Sequence, residues 1–150
     1  MDLTIFVDAD ACPVKDEIYR VAGRHAVPVK VVANNWFRVP VGPLVEQIVV
    51  ADSFDAADDW IAERAGPARI VVTGDILLAD RCVKLGATVL GHTGKPFTPA
   101  SIGNAVASRA LAEHRRAMGE DRGGPAPFVA ADRSRFLSAL DAALVRLKRG

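Results

Sequence analysis

No C-x-x-C pair occurs in this sequence, and its two cysteines, Cys12 and Cys82, lie far apart. A structural zinc site has no support, and two separate reduced thiols are expected rather than a disulfide framework. A C-x5-R phosphate loop is excluded too: Cys12 would need arginine at position 18, which is Ile18. Cys12 therefore reads as a buried structural residue. Apolar runs such as Ile70–Val72 fall far short of the roughly 20 residues a membrane helix needs. No basic stretch followed by an apolar core opens the chain, so it is expected to stay in the cytoplasm. Internal repeats are absent, and nothing marks a second domain within the 150 residues. Aromatic residues suited to base stacking are few. Trp36 and Phe37 stand in a loop, and core packing is the expected use of Phe37.

What is present is a charge asymmetry hidden by the net charge of +1. Residues 1–80 carry seven Lys/Arg against thirteen Asp/Glu, and residues 81–150 carry twelve against five. One half should attract cations and the other polyanions.

Hydrophobic patterning organises the first half into alternating strands and helices. Leu3–Val7 is a β-branched and aromatic run ending at Asp8, followed by a helix with Pro13 in its first turn and Asp10 or Cys12 near its cap. Val27–Ala33 is a second strand, and Ile48–Val50 a short third. A helix over about 56–65 follows, capped by Asp55, with Trp60 and Ile61 facing inward. Arg69–Val72 is a fourth strand, leading through Thr73-Gly74-Asp75 into a helix that ends at Gly86, and Ala87–Leu90 is a fifth. Alternation of this kind predicts right-handed crossovers and a three-layer α/β/α fold around a parallel sheet of about five strands. Beyond residue 91 a long helix over Pro99–Met118, a Gly/Pro-rich loop over Gly119–Ala130 and a closing helix over Asp132–Lys148 complete a single domain.

Ligands of open parallel sheets bind beyond the carboxyl ends of the strands. Three groups of aspartates fall there: Asp8 and Asp10 after strand one, Asp55, Asp58 and Asp59 at the helix after strand three, and Asp75 and Asp80 after strand four. Crowded carboxylates repel unless something positive sits among them, and Mg2+ or Mn2+ is the natural counter-ion for an oxygen-only donor set. Alternation along Asp8-Ala9-Asp10 turns both carboxylates to one side. Several of these acids have local structural uses. Asp55 reads as an N-cap rather than a ligand, with Asp58 completing a capping pair. Asp75 could cap the third helix, Asp59 reads as exposed, and Asp80 could be a solvated helix residue. Asp8 and Asp75 stand apart because each ends a central strand.

The segments VDADACPVKDEI, VVANNW, FDAADDWI, VVTGDILLAD and GGPAPF resemble the YaiI/YqxD family, also known as uncharacterised protein family 0178, over Val7 to about Leu140. That family is grouped with PIN-like domains, many of them metal-dependent ribonucleases. The resemblance implies a PIN-like fold and matches Asp8 to the first strand's acid, Asp58 (with Ile61) to a helix-borne D-x-x-I acid, and Asp75 to a T-x-D acid. Asp10 and Asp80 are further acids of the family's own motifs. The acid that PIN domains place on an early helix is matched here by Asp16 and Glu17 in position only.

The basic half supplies Arg109, Arg115, Arg116 and Arg122, with His114 among them. Arg109 and Arg116, seven residues apart, share a helix face and are candidates for phosphate contact, as is Asn34 at the end of strand two. His25 and His92 are isolated. The expected function is a metal-dependent phosphodiester hydrolase, a PIN-like nuclease acting on RNA, with Asp8, Asp10, Asp58 and Asp75 at its centre and Asp80 as a further metal ligand. A rival is a haloacid-dehalogenase-like phosphatase. For it, IFVDAD would supply Asp8 as nucleophile and Asp10 as general acid, and Gly74 to Asp80 satisfies a later G-D-x-x-x-x-D motif. Its motif lysine would be Lys30, awkwardly within strand two. The third reading is a non-catalytic module binding RNA or a protein partner.

Overall fold

The computed structural model describes residues 2–53, 55–119 and 127–149. Phe54, Arg122 and most of the Gly/Pro-rich loop lie outside the described residues. Six strands form one sheet in the order β3-β2-β1-β4-β5-β6. They are β1 (Thr4–Asp8), β2 (Val29–Ala33), β3 (Val45–Val49), β4 (Arg69–Val72), β5 (Thr88–Leu90) and β6 (Pro96–Phe97). The first five run parallel, and β6 pairs antiparallel with β5. The fold is therefore α/β with a mostly parallel sheet, one strand larger than the parallel five that patterning predicts. The added strand is two residues long and begins with proline, too short to leave a periodic signal.

Alternation along the strands builds two cores. Ile5, Val7, Val29, Val31, Ile70 and Val72 face one side, where α1 (Lys15–His25) and α5 (Ala130–Lys148) deliver Ile18, Val21, Phe136, Leu140 and Leu144. Phe6, Val32, Val71 and Val89 face the other, against Ile61 of α2 (Ala56–Arg64), Leu78 and Cys82 of α3 (Ile76–Lys84), and Ile102 of α4 (Ile102–Ala117). The sheet is thus the middle of three layers. The order of strand addition reverses at β1, whose neighbours are β2 on one side and β4 on the other. That pair of carboxyl ends is the crevice where doubly wound sheets hold ligands.

Several element ends shift for local reasons. Strand β3 starts at Val45 rather than Ile48, because this edge strand includes Glu46 and Gln47, which an apolar pattern misses. Helix α4 begins at Ile102 rather than Pro99. Before it, Thr98 and Ser101 exchange side-chain and backbone hydrogen bonds of 3.0–3.1 Å. Neither Asp10 nor Cys12 caps α1, which follows Val14 without a side-chain cap bond. The chain instead turns at Ala9–Cys12 with Ala11 at φ 61°, a left-handed conformation that costs alanine about 1–2 kcal/mol. Both cysteines are free and buried, and burial pushes the Cys82 thiol up to about 11. Phe37 packs against the first core as expected, and Trp36 is 75% exposed. At Gly94, φ is 86° and an added Cβ would lie 2.6 Å from the Arg135 carbonyl oxygen, so the β5–β6 turn rests directly on the α5 backbone.

Among the described residues, no helix is long and apolar enough to cross a membrane.

Candidate functional site

A cavity of about 800 Å3 opens at the carboxyl ends of β1 and β4. Asp8, Asp10, Asp55, Asp58 and Asp75 line it, together with Asn34, Arg81, His92 and Arg109. The chain thus gathers four of the five candidate acids. Asp80 is not among the lining residues: it sits farther along α3 and pairs with Lys84 at 3.0 Å. Of the expected phosphate contacts, Asn34 and Arg109 reach the cavity, while Arg116 is exposed in the last turn of α4 and does not line it. Lys30, the phosphatase motif lysine, is bound to Glu46 at 2.6 Å on the β2–β3 edge.

Thr73 fixes the floor of the cavity. It is fully buried, donates its hydroxyl to Asp8 Oδ2 at 2.8 Å, and accepts from the backbone N–H of Asp75 at 2.9 Å. A hydroxyl has one proton to give. Spending it on Asp8 ties the end of β1 to the turn after β4 and favours the ionised form of that carboxylate. Asp75 is the N-cap of α3, its Oδ1 accepting from Leu77 N–H at 2.9 Å and Leu78 N–H at 3.4 Å. Asp55 differs from expectation. It occupies the N-cap position of α2 but makes no side-chain cap bond, and it is among the residues that line the cavity.

The electrostatics follow from this crowding. Burial raises the Asp8 carboxyl above its ordinary value. The Thr73 hydrogen bond opposes that rise, and the charges of Asp75 and Asp10 add to it. Asp58 is pushed up to about 6, by burial first and then by Asp75, Asp8 and Asp55, with Arg81 opposing. Arg81 is itself engaged by Asp59 at 2.9 Å. Two polar atoms on the cavity wall, Asn34 Oδ1 and His92 Nε2, are buried with no hydrogen-bond partner among the described residues. Unpaired buried polar atoms are rare in native proteins and commonly await a ligand or water.

His92, Thr73 and Arg81 are the residues that sequence reasoning passes over. His92 follows β5 in a G-H-T-G turn and stacks over Gly74, where an added Cβ would lie 2.9 Å from its Cε1. Burial, and secondarily the charge of Lys15, lower its pKa below the ordinary histidine value. The available signal was its position at the carboxyl end of a strand.

Among the described residues, no three His, Cys, Asp or Glu side chains converge closely enough to enclose a metal ion by themselves. The donor set still fits a hard cation. Magnesium is usually held by one or two carboxylates, with water and substrate phosphate completing its shell.

A family model described as the uncharacterised YaiI/YqxD family matches residues 6–146. A UPF0178 protein of Sphingopyxis alaskensis is 67% identical over 147 residues, covering 97% of this chain and 96% of its own. A UPF0178 protein of Rhodopseudomonas palustris is 61% identical over 145 residues, covering 97% and 94%, and one of Caulobacter vibrioides is 56% identical over 149 residues, covering 99% and 97%. No solved structure matches the chain significantly. This chain therefore belongs to the YaiI/YqxD family.

Proposed function

We propose that the protein is a metal-dependent phosphodiester hydrolase acting on RNA. The observation that carries this reading is the acidic cavity at the β1/β4 crevice, where Asp8 and Asp58 are raised by burial and by neighbouring carboxylates. A site that holds negative charges together at a cost is suited to a cation. Magnesium or manganese bound there would supply the positive charge that offsets a phosphodiester's own and eases attack on phosphorus. Asp8 and Asp75, joined through Thr73, would hold the ion, and Asp10, Asp55 and Asp58 would orient water or a second ion. Arg109, on the wall from α4, would pair with a phosphate oxygen. His92 and Asn34 carry the unpartnered atoms suited to hydrogen-bonding the substrate or its attacking water.

The test is calorimetric titration with manganese, alongside hydrolysis of a single-stranded oligoribonucleotide with and without chelator. Asp8→Asn should lower turnover by at least about 100-fold, the upper end of what losing an outer-shell partner of a metal costs. Metal affinity should fall with it. Unaltered manganese binding in Asp8→Asn would remove Asp8 from the site and the reading with it. The phosphatase alternative predicts instead that beryllium fluoride forms an aspartyl-phosphate mimic on Asp8.

A further inference from the structure

Beside the acidic cavity lies a second, of about 610 Å3, and the two share Ile76 and Arg109. Their chemistry is opposite. Aspartates dominate the first, whereas Asp and Glu are missing from the second, whose charged groups are Lys95 and Arg109. Phe97 and Ile76 give it an apolar wall, and Asn104 and Ser108 give it hydrogen-bonding groups. Helical spacing aligns Asn104 and Ser108 one turn apart on α4, with Arg109 adjoining them at the junction of the two cavities. The Arg109 guanidinium contacts Glu113 at 3.0 Å, but Arg109 is only half-buried and Glu113 is exposed, and such pairs are weak against a competing anion.

We infer that this second cavity takes the nucleotide adjoining the scissile phosphate, so that the substrate is a single-stranded polynucleotide of more than one unit. The inference rests on the phosphodiester reading of the neighbouring cavity. A scissile phosphate in the acidic cavity needs a cation, because the protein surrounds it with like charge. The next phosphate along the strand falls against Lys95 and Arg109, which neutralise it directly. An apolar wall next to those cations suits an unpaired base, whose face is available only when the strand is single. The change of sign across Arg109 therefore matches a repeating anion better than a small phosphomonoester, for which the first cavity alone has room.

Binding tests this without requiring turnover. Hydrolysis-resistant phosphorothioate oligoribonucleotides of one, two and four units, each with a fluorophore, are titrated by anisotropy in manganese. The parent should gain roughly fivefold or more in affinity from one unit to two, the lower end for stacking one base. Ser108→Trp, which fills the cavity, and Lys95→Ala should both lose that gain. Both residues are exposed, so the variants keep the fold. Lys95→Ala should also flatten the logarithmic salt slope for the longer strands by roughly 0.7. No gain with length in the parent, or the same gain in parent and both variants, overturns the inference. Failure of the hydrolase reading shows separately, as turnover or metal binding indifferent to Asp8→Asn.

Discussion

The two ends of the sheet carry cavities of nearly equal size, about 800 Å3 at the carboxyl edge and about 770 Å3 at the amino edge, yet their charges are in opposite states. At the amino edge, groups of α1 and α5 are paired off. His25 Nε2 lies 2.7 Å from Asp141 Oδ1, Arg24 reaches the same oxygen at 3.4 Å, and Lys148 Nζ donates to the His25 carbonyl at 2.7 Å. Asp141 is held below its ordinary value, chiefly by the His25 hydrogen bond. At the carboxyl edge, Asp8 and Asp58 are pushed the other way, and Asn34 and His92 carry buried polar atoms without a partner among the described residues. Volume does not separate the two cavities. The balance of charge does: carboxylates crowd one edge and are met by cations at the other.

The sharpest way to break this contrast is at Thr73. Thr73→Val keeps the shape and removes the hydroxyl, leaving Asp8 Oδ2 and the Asp75 N–H without their partner. Leaving buried polar groups unsatisfied costs about 1–3 kcal/mol. Denaturant unfolding should detect that loss, and metal affinity should fall too as Asp8 and Asp75 come apart. A variant as stable as the parent would mean that Thr73 does not tie the two strand ends.

A second prediction concerns pH. Asp58 rises from 3.8 to about 6 on folding, so between those values the folded chain holds a proton that the unfolded chain has released. Stability from this group therefore falls as pH climbs through that window and is greater at pH 5 than at pH 7. Asp141, lowered from 3.8, contributes stability above that value and loses it only as pH drops through its folded pKa. Acidification from 7 to 5 should thus raise the melting temperature of the parent relative to Asp58→Asn. The opposite change would place Asp58 among the paired charges. Saturating manganese should abolish the difference.

The smallest expected effect is on stability in Asp55→Asn. Because Asp55 makes no cap bond, its replacement should change unfolding free energy by only about 0.5 kcal/mol or less, as for a surface position. Its charge acts on Asp58, whose pKa by NMR titration should drop below about 6 in the variant. A stability loss nearer 1 kcal/mol, typical of a deleted N-cap, would return Asp55 to the capping role.

That role is where sequence reasoning and the fold part company. Asp8 was legible because a β-branched run ending in aspartate locates both the strand and its ligand edge, and Asp75 because it follows such a run by three residues. The crossover pattern then brings those two ends together, since β1 and β4 are neighbours in the sheet. Asp55 was misread because position before a helix is local information, whereas the direction of its carboxylate depends on what lies across the crevice. Thr73 was invisible for a related reason. Its part is to connect two residues 67 positions apart, Asp8 and Asp75, and no window of sequence contains both. Arg109 and Arg116 looked equivalent by helical spacing, but the cavity reaches only the first.

One contact gives the two edges a relation that charge does not. Gly94 rests backbone to backbone on Arg135 in α5, with no side chain between them to absorb a displacement. The turn that holds Gly94 also carries His92. From that contact α5 runs on toward the amino edge, where Asp141 and Lys148 fasten it to α1. At 19 residues it is a rod about 28 Å long. The paired charges at one edge and the turn that carries the imidazole at the other are thus joined through a single helix.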